Sequence, residues 1–365
     1  MYYGRKQQII DRWVKSGKVK ITWIDPPRFF FYNQPIKKSI FESVMFIQGK
    51  PIQTPSMQIY KPLTIPYYLK YKLIYIFTEK LLNFYLNNIT KILNKKYDIF
   101  MVTSPIFLKA AKKLQKYGVK IVYDCRDYFP GFSHVGEYAI KKEKELIEIS
   151  ELIIVPSYTL CKKIISKSNY NKRIVVIPNG VPSSMISPCK PNKKNNNPTI
   201  GYIGSIWKDI DFDTIFEVAK EKEEWKFFFV GDTSRVSDII KNAPENCNFL
   251  GKIPYNKVEE MICSFDVCII PWKINELTNV VFPIKLLEFF GKGKPVVCSP
   301  IQEIVENPSL KNLVYLASTK DEWIASIELA LKDKNQEKYI EFAKKYTWEK
   351  LSEKYLDELY RGIGY

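Results

Sequence analysis

The chain has 365 residues, 46% of them apolar, which suffices for two domains with full cores, and it has no uninterrupted apolar run of about 18 residues that could cross a membrane as a helix. The net charge is +17 and unevenly placed: residues 1–120 hold 22 Lys/Arg against 5 Asp/Glu, whereas residues 121–365 hold 34 of each. The first third therefore implies an anionic partner, such as phospholipid headgroups, a lipid diphosphate or nucleic acid.

A single histidine, His134, argues against histidine triads and zinc sites. Cysteines at 125, 161, 189, 247, 263, 268 and 298 show no CxxC spacing and read as reduced core residues. Met1 to Arg12 carries no apolar stretch followed by a small-residue cleavage site, so the chain is expected in the cytoplasm.

Arg5–Ser16 reads as a helix and Lys18–Asp25 as a strand that ends at Pro26-Pro27. Residues 49–66, with Pro51, Pro55, Pro62 and Pro66, read as an extended loop. Tyr67–Lys96 then places Leu69, Leu73, Ile76, Phe77, Leu81, Phe84 and Ile92 at helical spacing among lysines, one long amphipathic helix. Its aromatic and lysine content suits a membrane interface, and equally a helix with one face in its own lobe.

From there the pattern alternates. Strands are predicted at Asp98–Thr103, Lys120–Asp124, Leu152–Pro156 and Arg173–Ile177, with helices at Ile106–Tyr117, Ile140–Ser150 and Tyr158–Ser166 between them. Such alternation means a parallel, doubly wound sheet. The polar, turn-forming residues 184–198 read as a linker after a basic lobe at 1–183. A second alternating series over 199–338 predicts another lobe of the same type, and 339–365 a helix returning to the first. Two such lobes imply a cleft, with ligands at the C-terminal ends of strands.

Several short patterns carry chemistry. Ile200-Gly201-Tyr202-Ile203-Gly204-Ser205 ends a strand at a glycine, where backbone can approach a phosphate closely. Asp211-Phe212-Asp213 resembles a metal-binding DxD but is better explained as carboxylates capping a helix start. In NELTNVVFPIKLLEFFGKGKPVV (275–297), a helix beginning near Pro283 has Lys285 in its first turn and Glu288 on the same face. The helix dipole opposes a lysine there, so an anion is expected at that end. The carboxylate one turn on suits a ribose diol.

Taken in order, the strand–GxxGS, "FVGD", "NFLGKIPY", "FDVCIIPW" and "NELT…FPIKLLEFFGKGKPVV" stretches resemble the donor half of GT-B glycosyltransferases of the bacterial group 1, surface-polysaccharide type. "RKQQIIDRWVKSGKVKITWIDPP", "VYDCRDYFPGF", "ELIIVPSYTL" and "VIPNGV" extend that resemblance over nearly the whole chain. It implies a GT-B fold and transfer from a nucleotide-sugar to a lipid-linked or polymeric glycan acceptor, at the inner face of the cell membrane. Lys285 is then expected at the donor diphosphate with Gly204, Ser205 and Thr278 nearby. Glu288 is expected at the ribose, and Gly231, Gly251 and Tyr255 around the base.

The pattern is also similar to xanthan-type glucuronosyltransferases, which implies Asp127 in Tyr123-Asp124-Cys125-Arg126-Asp127 as base, with Asp124 as competitor. His134 lies in the following loop. The resemblance implies no metal cofactor.

Two departures stand out. Retaining members carry a glutamate eight positions ahead of the one matched by Glu288; Val280 stands there, which favours inversion. The family also begins with a strand and glycine loop ahead of the "RKQQ" helix, where this sequence has only Met1–Gly4. Two alternatives remain open on sequence: a sugar-nucleotide epimerase of the same fold, and a non-catalytic nucleic-acid-binding protein using the basic lobe.

Overall fold

The computed structural model describes residues 5–24, 52–53, 58–60, 67–92, 97–167, 172–190 and 197–363. The chain divides into two units: a first lobe of Ile9–Pro156, Leu160–Ile177 and Lys354–Tyr365, and a second of Met1–Gln8, Ser157–Thr159 and Pro178–Glu353. The division therefore interleaves along the sequence and falls at 177/178, ahead of the boundary at 183 that composition suggests.

In the first lobe, helix α1 (Arg5–Ser16) is followed by short strands β1 (Thr22–Ile24), β2 (Ile52–Gln53) and β3 (Gln58–Tyr60). They form a small sheet of their own, with β3 parallel to β1 and antiparallel to β2. The extended backbone expected of 49–66 is thus found at β2 and β3. Pro51, Pro55, Pro62 and Pro66, like Asp25-Pro26-Pro27, lie outside the described residues.

Helix α2 (Lys72–Ile92) is shorter than predicted, because Tyr67–Lys70 form a turn; residues 93–96 lie outside the described residues. Its buried side is also not the predicted one. Tyr75, Thr78, Leu82 and Leu86 are buried, with the Tyr75 hydroxyl donating to the Pro105 carbonyl at 2.7 Å. Leu73 and Phe77 are 80% and 52% exposed. The helix is apolar on both sides, so periodicity had two stripes to choose from.

Four strands then build the main sheet: β4 (Ile99–Val102), β5 (Lys120–Asp124), β6 (Leu152–Val155) and β7 (Arg173–Val176), all parallel and in that spatial order. Helices α3 (Leu108–Gln115), α4 (Glu137–Ile149) and α5 (Tyr158–Lys167) connect them. Every residue of β6 is buried, the mark of a strand covered on both faces.

The second lobe repeats the plan with six strands. They are β8 (Thr199–Ile203), β9 (Lys226–Val230), β10 (Cys247–Gly251), β11 (Val267–Ile270), β12 (Val296–Cys298) and β13 (Tyr315–Leu316). The interleaved helices are α6 (Phe212–Glu221), α7 (Ser237–Ile240), α8 (Val258–Ser264), α9 (Ile284–Gly291), α10 (Gln302–Glu306) and α11 (Lys320–Lys332). The spatial order is β10-β9-β8-β11-β12-β13, all parallel. The chain first winds outward from β8 to β10, then crosses back to β11. The crevice of such a sheet lies where the winding reverses, beyond the carboxyl ends of β8 and β11.

The tail is two helices rather than one, α12 (Gln336–Lys344) and α13 (Trp348–Ile363). The end of α13 packs in the first lobe: Glu358 accepts from Arg173 at 2.6 Å, and Tyr355 meets the Trp13 ring edge-on at 5.3 Å.

The cysteine reading needs one correction. Cys125, Cys247, Cys268 and Cys298 are buried free thiols and Cys161 is half-buried, but Cys189 and Cys263 form a disulfide. Spacing along the chain could not show it, since 74 residues separate the pair and the fold closes the gap to a Cα–Cα distance of 5.4 Å.

Candidate functional site

The reversal point in the second lobe is where the chemically distinctive residues meet. Gly204 follows β8 with φ +143°, a backbone conformation closed to side-chain-bearing residues. A Cβ at that position would overlap Cε and Nζ of Lys285. The lysine, in the first turn of α9, therefore lies directly on the Gly204 α-carbon, with its ammonium 5.7 Å from the centroid of the buried Tyr202 ring. Gly231, after β9, is equally constrained: a Cβ there would overlap the Gly204 carbonyl.

One turn along α9, Glu288 is buried. Burial raises its carboxyl pKa, while the Lys285 charge pulls it back down. Lysine and glutamate thus share a face, as their spacing predicts, at the positive end of a helix dipole.

The remaining predicted positions divide. Gly231 N–H donates to the Gly251 carbonyl at 2.9 Å, which aligns the ends of β9 and β10, and Gly251 adopts φ +67°. Tyr255, just beyond β10, is 46% exposed. Ser205 is exposed next to Gly204, its carbonyl accepting from the Tyr202 hydroxyl at 2.8 Å. Thr278 lies on the loop before α9. It is buried, and its hydroxyl donates to the Lys273 carbonyl at 2.7 Å while accepting from Asn275 N–H at 3.0 Å. Its hydroxyl shapes the loop before α9.

Sequence reading missed the residues that lace the two crevice loops together. Asn275 Nδ2 donates to Asp209 Oδ1 at 2.9 Å, and Lys273 N–H donates to the Asp209 carbonyl at 2.7 Å. Asn275 Oδ1 also accepts from the N–H groups of Leu277 and Thr278. An Asx-type turn opening "NELT" was the available signal. In the Asp211-Phe212-Asp213 stretch, the helix-capping contact anticipated at Asp211 is present. Asp211 caps α6 by accepting from Thr214 N–H and, at 2.8 Å, from its hydroxyl; Phe212 is buried, and Asp213 pairs with Lys273 at 3.3 Å. Among the described residues no group of three or more His, Cys, Asp or Glu is arranged to hold a metal.

In the first lobe the end of β5 separates the two candidate carboxylates. Asp124 is buried and ion-paired with Arg126, which donates from both Nε and Nη2 to Oδ2. Asp127, three residues on, reaches solvent. Desolvation by the surrounding protein raises its pKa, the Asp124 charge adds to that, and Arg126 and His134 oppose it. His134 is exposed, its ring 5.1 Å from that of Phe132. Tyr123 and Cys125 point inward, the tyrosine hydroxyl donating to Glu143 at 2.7 Å.

Two parallel-sheet α/β lobes define the GT-B architecture, and solved structures share it. A sucrose-phosphate synthase from Thermosynechococcus elongatus aligns over 98% of this chain and 92% of its own, with TM-score 0.74 at 14% identity. Anabaena HepE in complex with UDP aligns over 94% of this chain and 100% of its own, with TM-score 0.65 at 12% identity.

Residues 197–333 match the family model for glycosyl transferases group 1. Among curated proteins, one named for teichuronic acid biosynthesis, the glycosyltransferase TuaH of Bacillus subtilis (strain 168), is 28% identical over 198 residues. That match spans 49% of this chain and about half, 50%, of TuaH.

Proposed function

We propose that the protein transfers a sugar from a nucleotide-sugar to a lipid-linked or polymeric glycan acceptor in the assembly of a bacterial surface polysaccharide. One observation carries this reading: the Lys285 side chain lies on Gly204 at the winding reversal of the stretch that matches the group 1 family model, with buried Glu288 one turn along the same helix face. In that role Lys285 and the first N–H groups of α9 hold the diphosphate and stabilise negative charge as it leaves the anomeric carbon. Glu288 accepts from the ribose hydroxyls. Gly231, Gly251 and Tyr255 border the base, and Ser205 lies beside the phosphates. The complex of HepE with UDP makes uridine diphosphate the first ligand to try.

Asp127 removes the acceptor hydroxyl proton in this scheme, and the lack of a carboxylate at Val280 favours inversion. Asp124 holds Arg126 instead. No metal is assigned a role. The basic first lobe faces an anionic membrane in this reading, supported by its 22 Lys/Arg against 5 Asp/Glu and by exposed Leu73 and Phe77 on α2. No described helix is long and apolar enough to cross a membrane.

Calorimetry with UDP, GDP, TDP and CMP tests the donor site. Lys285→Ala should weaken the tightest of these by about 1.5–3 kcal/mol, the range for hydrogen bonds to charged groups, with a further loss in Glu288→Ala. Unchanged affinity in both variants removes the assignment. Co-sedimentation with anionic but not neutral vesicles, reversed near 0.5 M salt (roughly 4 Å screening), tests the membrane surface; equal binding to both vesicle types defeats it.

A further inference from the structure

Two of the seven cysteines stand apart from the rest. Cys125, Cys247, Cys268 and Cys298 are buried, and burial raises each thiol pKa, that of Cys247 to about 12. Thiols of that kind are inert to exchange. Cys161 is half-buried and stands singly, and burial raises its pKa too. Cys189 and Cys263 are both half-exposed and already within bonding geometry.

The segment carrying Cys189 is fastened to the second lobe at the C-terminal end of α9. Ser187 N–H donates to the Gly291 carbonyl at 3.0 Å, and Cys189 N–H to the Lys292 carbonyl at 3.4 Å. These bonds satisfy carbonyls that a helix end leaves open. Beneath them the Lys292 ammonium, almost wholly buried, bonds the Ser187 hydroxyl at 2.8 Å and pairs with Glu259 of α8. Lys294 donates to the Cys263 carbonyl at 3.0 Å and the Phe265 carbonyl at 2.6 Å. One ammonium is therefore held between the Ser187 and Glu259 side chains, and the other against the backbone at Cys263, so that hydrogen bonds and an ion pair fix the segments on which both cysteines lie. Thiolate is the species that exchanges, and a partner sulfur already within reach lets a mixed disulfide resolve within the chain.

We propose that Cys189 and Cys263 are a thiol–disulfide modification site whose co-reactant is a small-molecule disulfide. One thiolate attacks a sulfur of that disulfide, forming a mixed disulfide and expelling one small thiolate. The second cysteine thiolate then attacks the protein-side sulfur, closing the 189–263 bond and expelling the other small thiolate. Two cysteine thiols lose two protons and two electrons, and the small disulfide is reduced to two thiols. The closed loop spans 74 residues and, within the second lobe, clasps the Ser187–Cys189 segment to α8, at the C-terminal end of the helix that carries Lys285 and Glu288. Cross-linking so long a loop constrains the unfolded chain strongly, so the oxidised form is the more heat-resistant. The inference stands on the cysteine geometry and is independent of which ligand the crevice takes.

The full chain, reduced and freed of reductant, is titrated with mixtures of oxidised and reduced glutathione, then alkylated and weighed intact and as peptides. The expected product is two hydrogens lighter, contains a cross-linked 189–263 peptide, and unfolds about 5 °C or more above the reduced form. Cys189→Ser and Cys263→Ser should each lose both the cross-link and the redox-dependent shift while unfolding like the reduced parent, and Cys161→Ser should keep both. Alkylation of both cysteines throughout the titration overturns the proposal. So do separate glutathione adducts at 189 and 263, or a redox-dependent shift that persists in Cys189→Ser.

Discussion

The two lobes place charge at the ends of parallel strands in different ways. In the second lobe the charge is a cation set by backbone constraint: Lys285 lies on a glycine whose Cβ would occupy the same space, and a second glycine presses on the first. In the first lobe it is a pair of carboxylates three residues apart, one at the end of β5 and one just beyond it, distinguished by exposure and by pairing. Asp124 is buried against Arg126, and Asp127 reaches solvent with a raised pKa. A site for one invariant chemical group can be built from glycines at fixed positions. A site for a proton acceptor needs only a carboxylate in the right surroundings, which several neighbours could supply.

Exchanging the two aspartates breaks that comparison most severely. Asp127→Asn should lower turnover about 100-fold or more while donor binding and thermal stability hold. Asp124→Asn should do the reverse, costing about 2 kcal/mol or more by leaving Arg126 without its buried counter-charge. Turnover that collapses in Asp124→Asn at full stability, with Asp127→Asn active, would transfer the base upstream. The pH profile carries the same information. A base must be ionised to act, and desolvation favours its neutral form, so kcat/KM should fall as pH drops through a pKa above the ordinary aspartate range. That acid limb should vanish from the residual activity of Asp127→Asn.

Legibility follows the same divide. The succession of strands and helices along the chain, the Lys285–Glu288 face and the capping role of Asp211 follow from periodicity, dipoles and hydrogen bonding within a few residues, all of which a sequence displays. The choice between Asp124 and Asp127 depends on which carboxylate the fold buries. The inward face of α2 depends on which of two apolar stripes finds a neighbour: Tyr75 and Leu82 do, Leu73 and Phe77 do not. The Cys189–Cys263 bond and the Asp209–Asn275 contact join segments far apart in sequence. No local pattern encodes such pairs, so only the folded chain displays them.

Gly204→Ala sharpens the second-lobe half of the comparison, at a smaller expected cost. The added methyl must displace the Lys285 amine and also adopt φ +143°, so backbone strain and a misplaced cation arrive together. Nucleoside-diphosphate affinity should drop about 10-fold or more, equivalent to roughly 1.4 kcal/mol. The double variant with Lys285→Ala should be little worse than Lys285→Ala alone, because the two changes remove one interaction. Fully additive losses in calorimetry would show that Gly204 acts on the ligand without the lysine.

The smallest effect concerns the acidic residues beside that crevice. Asp211 accepts from the N–H and the hydroxyl of Thr214 at the first turn of α6, and Asp213 pairs with Lys273 on the surface. A carboxylate in that position satisfies an open N–H and complements the dipole, which a metal ligand would have to forgo. Asp211→Ala should therefore cost about 1 kcal/mol of stability, the usual cost of removing an N-cap, read as a shifted denaturation midpoint. Donor affinity should stay within two-fold, equivalent to roughly 0.4 kcal/mol, and turnover should be indifferent to chelator in both parent and variant. A parent enzyme silenced by EDTA and restored by a divalent cation, with Asp211→Ala no longer restored, would turn the capping carboxylate into a metal ligand. The proposed donor site would then meet a diphosphate with two charges rather than one.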